Sequence, residues 1–184
     1  MYHGDMLICV GGFPGSGRNR LSRDLSKALG FYNYPLSEIK HSPAFKRMHR
    51  GARASPVAPY SDDLLVRVYR EAVSSFPVLS KMYPDIVMKD HFHREVPREF
   101  LFSEAKKYFG SPLIVWTDAS FETSAARLEE VLVGRKKRLG RDLGLSEAMR
   151  ADYQSFAREV HTVDYNNNPA GALEQVLELV KKFR

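Results

Sequence analysis

Short apolar runs alternate along this chain with longer segments in which apolar residues recur at every third or fourth position. Buried parallel strands have the first pattern and amphipathic helices the second. The runs that predict strands lie at residues 6–10, 31–35, 85–89, 113–117 and 161–164. The segments that predict helices lie at residues 18–29, 61–76, 97–109, 122–133, 146–157 and 170–183. Because strands that alternate with helices pair in parallel through right-handed crossovers, the pattern predicts a three-layer α/β fold with a five-stranded parallel sheet.

Residue types at the ends of these segments support the boundaries. Gly30 and Gly110 follow helical segments, and glycine is the residue that most often closes a helix. Ser61 stands before two aspartates, which is typical of a helix N-cap. The stretch 41–60 contains prolines and a glycine and is predicted to be irregular.

The length and composition bound the class of protein. The 184 residues contain no internal repeat, low-complexity tract or linker, which predicts a single domain, 1–184. Cys9 is the only cysteine, so an internal disulfide is excluded. No apolar run approaches the roughly 20 residues of a membrane helix. We therefore expect a cytoplasmic protein that does not act in a membrane.

A glycine-rich loop follows the first predicted strand and opens the first predicted helix. Gly12, Pro14, Gly15, Ser16 and Gly17 lie in it, and its first and last glycines have G-x-x-x-x-G spacing. Such a loop turns consecutive backbone N–H groups toward phosphate oxygens, and the positive end of the following helix adds a favourable field. An ordinary strand-to-helix turn is the alternative, but the strand before it and the helix after it favour phosphate binding.

The loop departs from the usual motif at its last two positions. Arg18 stands where lysine is usual, and Asn19 stands where serine or threonine is usual. Arginine keeps the charge but is longer, planar and forked, so the exchange is not conservative. The Asn19 carbonyl is a candidate Mg²⁺ ligand in place of the hydroxyl. The two changes predict that phosphate binding is kept and leave turnover open.

Asp90 ends the third predicted strand and is a candidate for the acidic group that such sites need. It is predicted to hold Mg²⁺, directly or through water, or to act as a base toward the acceptor hydroxyl. A surface aspartate at a strand end is the alternative. His91 and His93 follow it, but two histidines are a weak signal for a metal site, and core or surface histidines are the favoured interpretation.

A basic segment at about 134–145 contains Arg135, Arg138 and Arg141. The chain carries a net charge of +6, which suits phosphates or another anionic partner. Since phosphoryl transfer spreads negative charge over the transferred group, we expect a lid in which Arg135 and Arg138 stabilise that charge. A solvated basic turn is the alternative.

Taken together, the loop sequence GFPGSG, the stretch 90–118, the sequence ASFETSAARL and the basic segment resemble small P-loop kinases. The similarity is to predicted kinases of the polynucleotide-kinase and zeta-toxin type, and also to dephospho-coenzyme-A kinases and adenylate kinases. The resemblance implies that ATP with Mg²⁺ is the phosphoryl donor. It also implies that Asn167 and Pro169, after the last strand, lie near the adenine. A plain turn before the last helix is the alternative for these residues.

The leading hypothesis for function is an ATP-dependent phosphotransferase with Arg18, Asp90, Arg135 and Arg138 as catalytic residues and Asn19 and Asp90 at the metal. A nucleotide-binding pseudokinase or sensor is the alternative, because of Arg18 and Asn19. Nucleic acid is a third and weaker candidate partner, since no aromatic residues interleave with the basic segment. The acceptor is expected to enter after the second strand, where the candidates are Ser37, Glu38, Lys40, His41 and the basic residues of 46–53.

Overall fold

The computed structural model describes residues 5–43, 45, 58–165 and 167–184. The candidate acceptor residues in 46–53 therefore lie outside the described residues, as does most of the stretch predicted to be irregular. In the described part of the chain, no helix has both the length and the apolar character needed to cross a lipid bilayer.

Five parallel strands form the sheet, in the spatial order β2-β3-β1-β4-β5. Each lies within two residues of its predicted position. The first strand is central and completely buried, because its apolar residues are covered on both faces. The strands are β1 Met6–Gly12, β2 Tyr32–Tyr34, β3 Asp85–Lys89, β4 Leu113–Thr117 and β5 His161–Val163.

Helices cover both faces of this sheet. Among the described residues they are α1 Arg18–Leu29, α2 Leu36–His41, α3 Asp62–Ser74, α4 Phe76–Met82, α5 Glu95–Phe109, α6 Phe121–Val131, α7 Lys136–Ala151 and α8 Pro169–Phe183. Alternate residues of β1 serve two separate cores. Leu7 and Cys9 belong to the apolar cluster that includes α3 and α5 residues, whereas Ile8 and Val10 belong to the cluster of α1 and α8. The three-layer α/β prediction is thereby confirmed.

Two helix predictions were wrong in their extent. The helix that begins after Ser61 stops at Ser74, and a separate helix follows, because Pro77 cannot donate the backbone hydrogen bond that a continuing helix requires. The predicted helix 146–157 ends at Ala151 and begins much earlier, at Lys136. The basic segment is therefore largely helical and forms the first half of α7.

The early end of α7 has a physical cause in Arg98, which is completely buried. Its guanidinium donates to the carbonyl oxygens of Phe92 at 3.1 Å and Gln154 at 2.6 Å, and also to that of Ser155. It also lies 4.0 Å from the ring centroid of Phe156. The Gln154 N–H also bonds to the His93 carbonyl at 2.9 Å instead of a carbonyl of α7, so these bonds hold the backbone after Asp152 outside the helix.

Candidate functional site

The glycine loop lies at the carboxyl end of β1, between the central strand and α1. Gly15 has φ of +85°, and a β-carbon there would approach the carbonyl oxygen of Ser124 to 2.4 Å. At Gly12 a β-carbon would lie 2.1 Å from Thr117 Oγ1. No described side chain caps the N-terminus of α1, and its first turn contains no acidic residue. The loop is thus a cradle that only glycine allows, open to an anion at the helix end.

Side chains from β4 and α7 brace this loop. Thr117 Oγ1 donates to the carbonyl oxygen of Gly11 at 3.0 Å, and Ser16 Oγ lies 2.6 Å from Thr117 Oγ1. Since the Thr117 proton goes to Gly11, the Ser16 hydroxyl is the donor of the second bond. Ser146 Oγ donates to the Pro14 carbonyl at 3.3 Å. The side chain of Ser16, predicted to bind the cofactor, is therefore engaged within the protein, and its backbone N–H bonds to the Phe13 carbonyl.

Arg18 turns its guanidinium back toward the loop. One terminal nitrogen, Nη1, lies 2.5 Å from the carbonyl oxygen of Gly12 and 2.8 Å from Nδ1 of His91. Burial lowers the pKa of Arg18 to about 10, although the neighbouring Asp90 carboxylate opposes the change. The group therefore remains charged at neutral pH. In this arrangement the positive charge lies between the Gly12 carbonyl at the end of β1 and His91.

Asp90 is buried and held by two partners. The Nζ atom of Lys40 lies 2.6 Å from both carboxylate oxygens, and the Tyr69 hydroxyl donates to Oδ2 at 2.7 Å. Burial alone would raise the pKa of Asp90, but the charge and hydrogen bonds of Lys40 outweigh it and hold the pKa well below its ordinary value. Burial and the carboxylate raise the pKa of Tyr69, so its hydroxyl stays a donor. Asp90 is therefore an ionised acceptor at all ordinary pH values.

Two histidines follow Asp90, of which His91 is partly buried and His93 is buried. Burial and the charge of Arg18 hold the pKa of His91 well below its ordinary value. His93 is only 2% exposed, and burial lowers its pKa to about 4 against the opposing effects of Asp90 and Asp152. In the part of the chain that the structure describes, no three histidine, cysteine, aspartate or glutamate side chains are grouped to hold a metal ion.

In the variant His93→Gln, the free energy of unfolding is expected to decrease less between pH 7 and pH 5 than in the wild-type protein. The unfolded chain protonates this imidazole near pH 6.5, whereas the folded chain resists protonation down to about pH 4. The unfolded state therefore binds more protons between these values, and stability falls as the pH falls through them. Between pH 7 and pH 5 the contribution of His93 is ~2 kcal/mol. Urea unfolding at both pH values measures it, and an equal pH-dependent drop in the wild-type protein and the variant would contradict the assignment.

Two cavities open beside Arg18 and His91. The larger, of about 490 Å³, lies between the glycine loop, α1 and α6. The smaller, of about 230 Å³, is bounded by α2, α3 and the residues that follow β3. It contains Asp90, Lys40, Ser37 and His41. The residues that line both cavities are Arg18, Asn19, His91, Asp142 and Leu145.

The basic half of α7 reaches both cavities. Arg138 lines the larger cavity, and its Nε lies 3.6 Å from Asp142 Oδ2. Arg141 lines the smaller cavity and also bonds to Asp142, with 2.8 Å between Nη2 and Oδ1. Arg135 is exposed at the N-cap of the helix and lines neither cavity. The second half of α7 is anchored, because Leu145, Ser146 and Met149 are buried.

The loop after β5 lies apart from this arrangement. Asn167 bonds to the Asp164 side chain through its backbone N–H at 3.0 Å and its amide at 2.6 Å, and Pro169 begins α8. Neither residue lines the two cavities. Their predicted place beside the adenine therefore stays a prediction.

The sequence identified the loop, Asp90 and Lys40 as candidates but gave no indication of several residues that contact them. Tyr69, Thr117, Ser146 and Asp142 had no motif to identify them. His91 was named only as a weak metal candidate, and its contact with Arg18 joins residues far apart in the chain. The available signal for His91 in the sequence was that two histidines follow the strand end at Asp90.

No protein-family model matches the chain, and no curated protein matches it. Solved structures do. A sugar kinase from Janibacter sp., solved without ligand, matches with a TM-score of 0.70 at 15% identity, over 96% of this chain and 94% of that one. A gluconokinase from Sinorhizobium meliloti matches with a TM-score of 0.62 at 16% identity, over 96% of each chain. The chain has a P-loop kinase fold.

A third match extends this P-loop kinase fold to a nucleoside kinase. Deoxyadenosine kinase from M. mycoides, solved with dCMP and dCDP, matches with a TM-score of 0.51 at 13% identity, over 97% of this chain and all of that one. At these identities the likeness concerns the fold alone. The acceptor is not identified by it.

Proposed function

We propose that this protein is an ATP-dependent phosphotransferase acting on a small hydroxyl-bearing acceptor. The observation that carries the proposal is the pair of cavities that meet at Arg18, Asn19 and His91 beside the glycine loop. A kinase must hold a donor and an acceptor on opposite sides of the transferred group. The matches to a sugar kinase, a gluconokinase and deoxyadenosine kinase support a small-molecule acceptor.

The larger cavity suits the donor nucleotide. Its wall contains Gly15 and Gly17 of the glycine loop, and their positive φ values suit a loop that turns its backbone N–H groups toward phosphate oxygens. Arg20, Arg23 and Arg138 add positive charge around it, and Leu128 and Leu132 supply an apolar wall. In this proposal the loop N–H groups bind the phosphates and Arg138 stabilises charge that develops during transfer. Arg135 would join it only if the start of α7 moved.

The candidate metal ligands fit Mg²⁺ in part. Mg²⁺ prefers oxygen ligands and keeps several of its waters. Asn19 is exposed and lines both cavities, so its carboxamide oxygen is available. Both oxygens of Asp90 already accept from Lys40, so Asp90 would hold the ion through water. When bound, Mg²⁺ would neutralise phosphate charge.

The smaller cavity suits the acceptor. In the transfer, an acceptor hydroxyl oxygen forms a bond to the γ-phosphorus while the bond from that phosphorus to the β,γ-bridging oxygen breaks, with its electron pair leaving on ADP. The acceptor proton is released to solvent. Asp90 is too weak a base to retain this proton, since Lys40 holds its pKa down. Its role is to orient the hydroxyl by accepting its hydrogen bond.

Nucleotide binding and turnover on one sample test the proposal. Calorimetry with ATP, ADP and GTP, with and without Mg²⁺, is followed by measurement of ADP formation against sugars, sugar acids and nucleosides. We expect Mg²⁺-dependent ATP binding and ADP formation that an acceptor stimulates. Absence of nucleotide binding at millimolar ligand would overturn the proposal.

A nucleotide sensor without turnover is the second candidate, and one observation favours it. Arg18 is bonded to the loop carbonyl of Gly12 rather than extended from the loop. If the protein is a sensor, the double change Arg18→Lys and Asn19→Ser should increase Mg²⁺-dependent ATP affinity, because it restores the usual point charge and hydroxyl ligand. Calorimetry on the double variant measures this. Unchanged or weaker affinity would show that the native pair is suited to its own chemistry.

A further inference from the structure

His91 occupies an unusual place between the two cavities. It directly follows Asp90 at the end of β3, and its imidazole lines both the larger and the smaller cavity. Its Nδ1 atom lies 2.8 Å from Nη1 of Arg18. Arg18 also lines both cavities, so the pair stands where a donor and an acceptor would meet.

The partner of Nδ1 fixes the position of the imidazole proton. A guanidinium carries only donors, so Nδ1 must accept the hydrogen bond from Arg18. In a neutral imidazole the other nitrogen then carries the hydrogen. His91 is therefore the Nε2–H tautomer, and Nε2 is a donor. The same bond shows that the ring is neutral, because an imidazolium would carry a hydrogen on Nδ1 and could not accept from Arg18.

Two donors at this place have no partner among the described residues. Nε2 of His91 and Nε of Arg18 are both buried there without a hydrogen bond. A buried donor left unpaired costs about 1–3 kcal/mol, so such groups normally have an acceptor in the working state of a protein. The nearby acceptors bond to other groups, Asp90 to Lys40 and Tyr69 and the Gly12 carbonyl to Nη1 of Arg18, and neither of them reaches these two nitrogens.

We propose that His91, held in its Nε2–H tautomer by Arg18, donates a hydrogen bond to an oxygen of the phosphoryl group that passes between the two cavities. This inference rests on the phosphotransferase function proposed above. The charge of Arg18 then acts through His91 as well as directly, because the guanidinium polarises the ring and strengthens its donor. The arginine in place of the usual lysine and the histidine after Asp90 form one unit.

The tautomer can be observed directly. Protein labelled with ¹⁵N at histidine gives long-range ¹H–¹⁵N correlations that distinguish the two tautomers, and the spectrum of His91→Gln assigns the His91 signals. We expect Nε2–H in the free protein and a shift of this proton when ADP, Mg²⁺ and aluminium fluoride are added. The Nδ1–H tautomer, or an unmoved Nε2–H signal while calorimetry shows nucleotide binding, would overturn the inference.

Two amide variants separate a donor role from simple packing. Glutamine places an amide nitrogen near the Nε2 position, whereas asparagine places its carboxamide oxygen near Nδ1, where it accepts from Arg18, and has no donor at the Nε2 position. We expect ADP formation by His91→Asn to fall about tenfold to a hundredfold, the effect of losing a hydrogen bond to a charged group. His91→Gln should recover most of it. The loss should be in kcat with little change in the KM for ATP, since the bond matters most during transfer.

Equal losses in both variants, with thermal unfolding showing both folded, would assign His91 a packing role and overturn the inference. The two proposals fail in different ways. A wild-type protein that binds MgATP but forms no ADP would end the phosphotransferase proposal, and the response of Nε2–H to bound nucleotide would still decide whether His91 contacts the phosphates. A wild-type protein that binds no nucleotide would end both.

Discussion

Gly15→Ala is expected to abolish nucleotide binding, whereas Gly134→Ala is expected to leave it intact. Both glycines have positive φ, +85° and +75°, so alanine at either position carries a backbone strain of about 1–2 kcal/mol. Only Gly15 of the two is crowded, with the Ser124 carbonyl oxygen 2.4 Å from the added β-carbon and no described atom within 4 Å at Gly134. Because a backbone atom cannot move aside as a side chain does, the loop itself must shift.

Calorimetry with ATP and Mg²⁺ measures the effect, and urea unfolding of both variants shows the shared cost of strain. We expect similar losses of stability from strain, a further loss at Gly15 from crowding, and binding lost only at Gly15. Normal ATP affinity in folded Gly15→Ala would contradict the assignment of this loop as the phosphate cradle.

Asp90→Asn is expected to destabilise the fold by ~3–5 kcal/mol, because it leaves a largely buried ammonium without its carboxylate. Asp90 and Lys40 are 8% and 14% exposed as side chains, and Lys40 Nζ lies within 2.6 Å of the carboxylate. Lys40→Met should also destabilise it, and the double variant should lose much less than the sum of the single losses. A double-mutant cycle by urea unfolding measures this coupling. Additive losses would contradict a direct pair.

The pH dependence of unfolding should distinguish the contribution of the Asp90–Lys40 pair from that of His93. The pKa of Asp90 is lowered in the fold, so its contribution is fully present above its unfolded pKa near 4 and is lost as the pH falls toward its folded value. His93 acts in the higher window, between pH 6.5 and about 4. Asp90→Asn should therefore reduce the pH dependence below about pH 4 and leave that above it unchanged. In ADP formation, this variant should also lose the orientation of the acceptor hydroxyl.

The strands were predictable because a buried parallel strand is a continuous apolar run. Residues 113–117 agree with β4 at both ends for this reason. The extent of α7 was not predictable, since its apolar residues do not follow one face and its end is set by Arg98, which lies in another helix. The local sequence pattern does not indicate that Arg98, from a distant helix, donates hydrogen bonds to the carbonyl groups after α7.

The same limit applies to the site. The glycine loop could be predicted because its residues are consecutive, and Asp90 because a strand end is recognisable. Tyr69 and Thr117 meet Asp90 and Ser16 only after the chain folds. The bond between Arg18 and His91 joins positions 73 residues apart. From sequence, the arginine is therefore a departure from a motif, and only the fold supplies its partner.

If the larger cavity holds a nucleotide as proposed, the two unlike halves of α7 would determine how it closes. Beyond Leu145 the helix is tied down by Ser146 against Pro14 and by Arg150, which donates to the carbonyl of Ala119 and the hydroxyl of Ser124. Its first turns are exposed, and a β-carbon added at Gly140 would meet no described atom within 4 Å. These contacts hold the second half of α7, and they do not hold its first half. Closure over a bound nucleotide would swing Arg135 and Arg138 through the largest arc while the glycine loop stayed still.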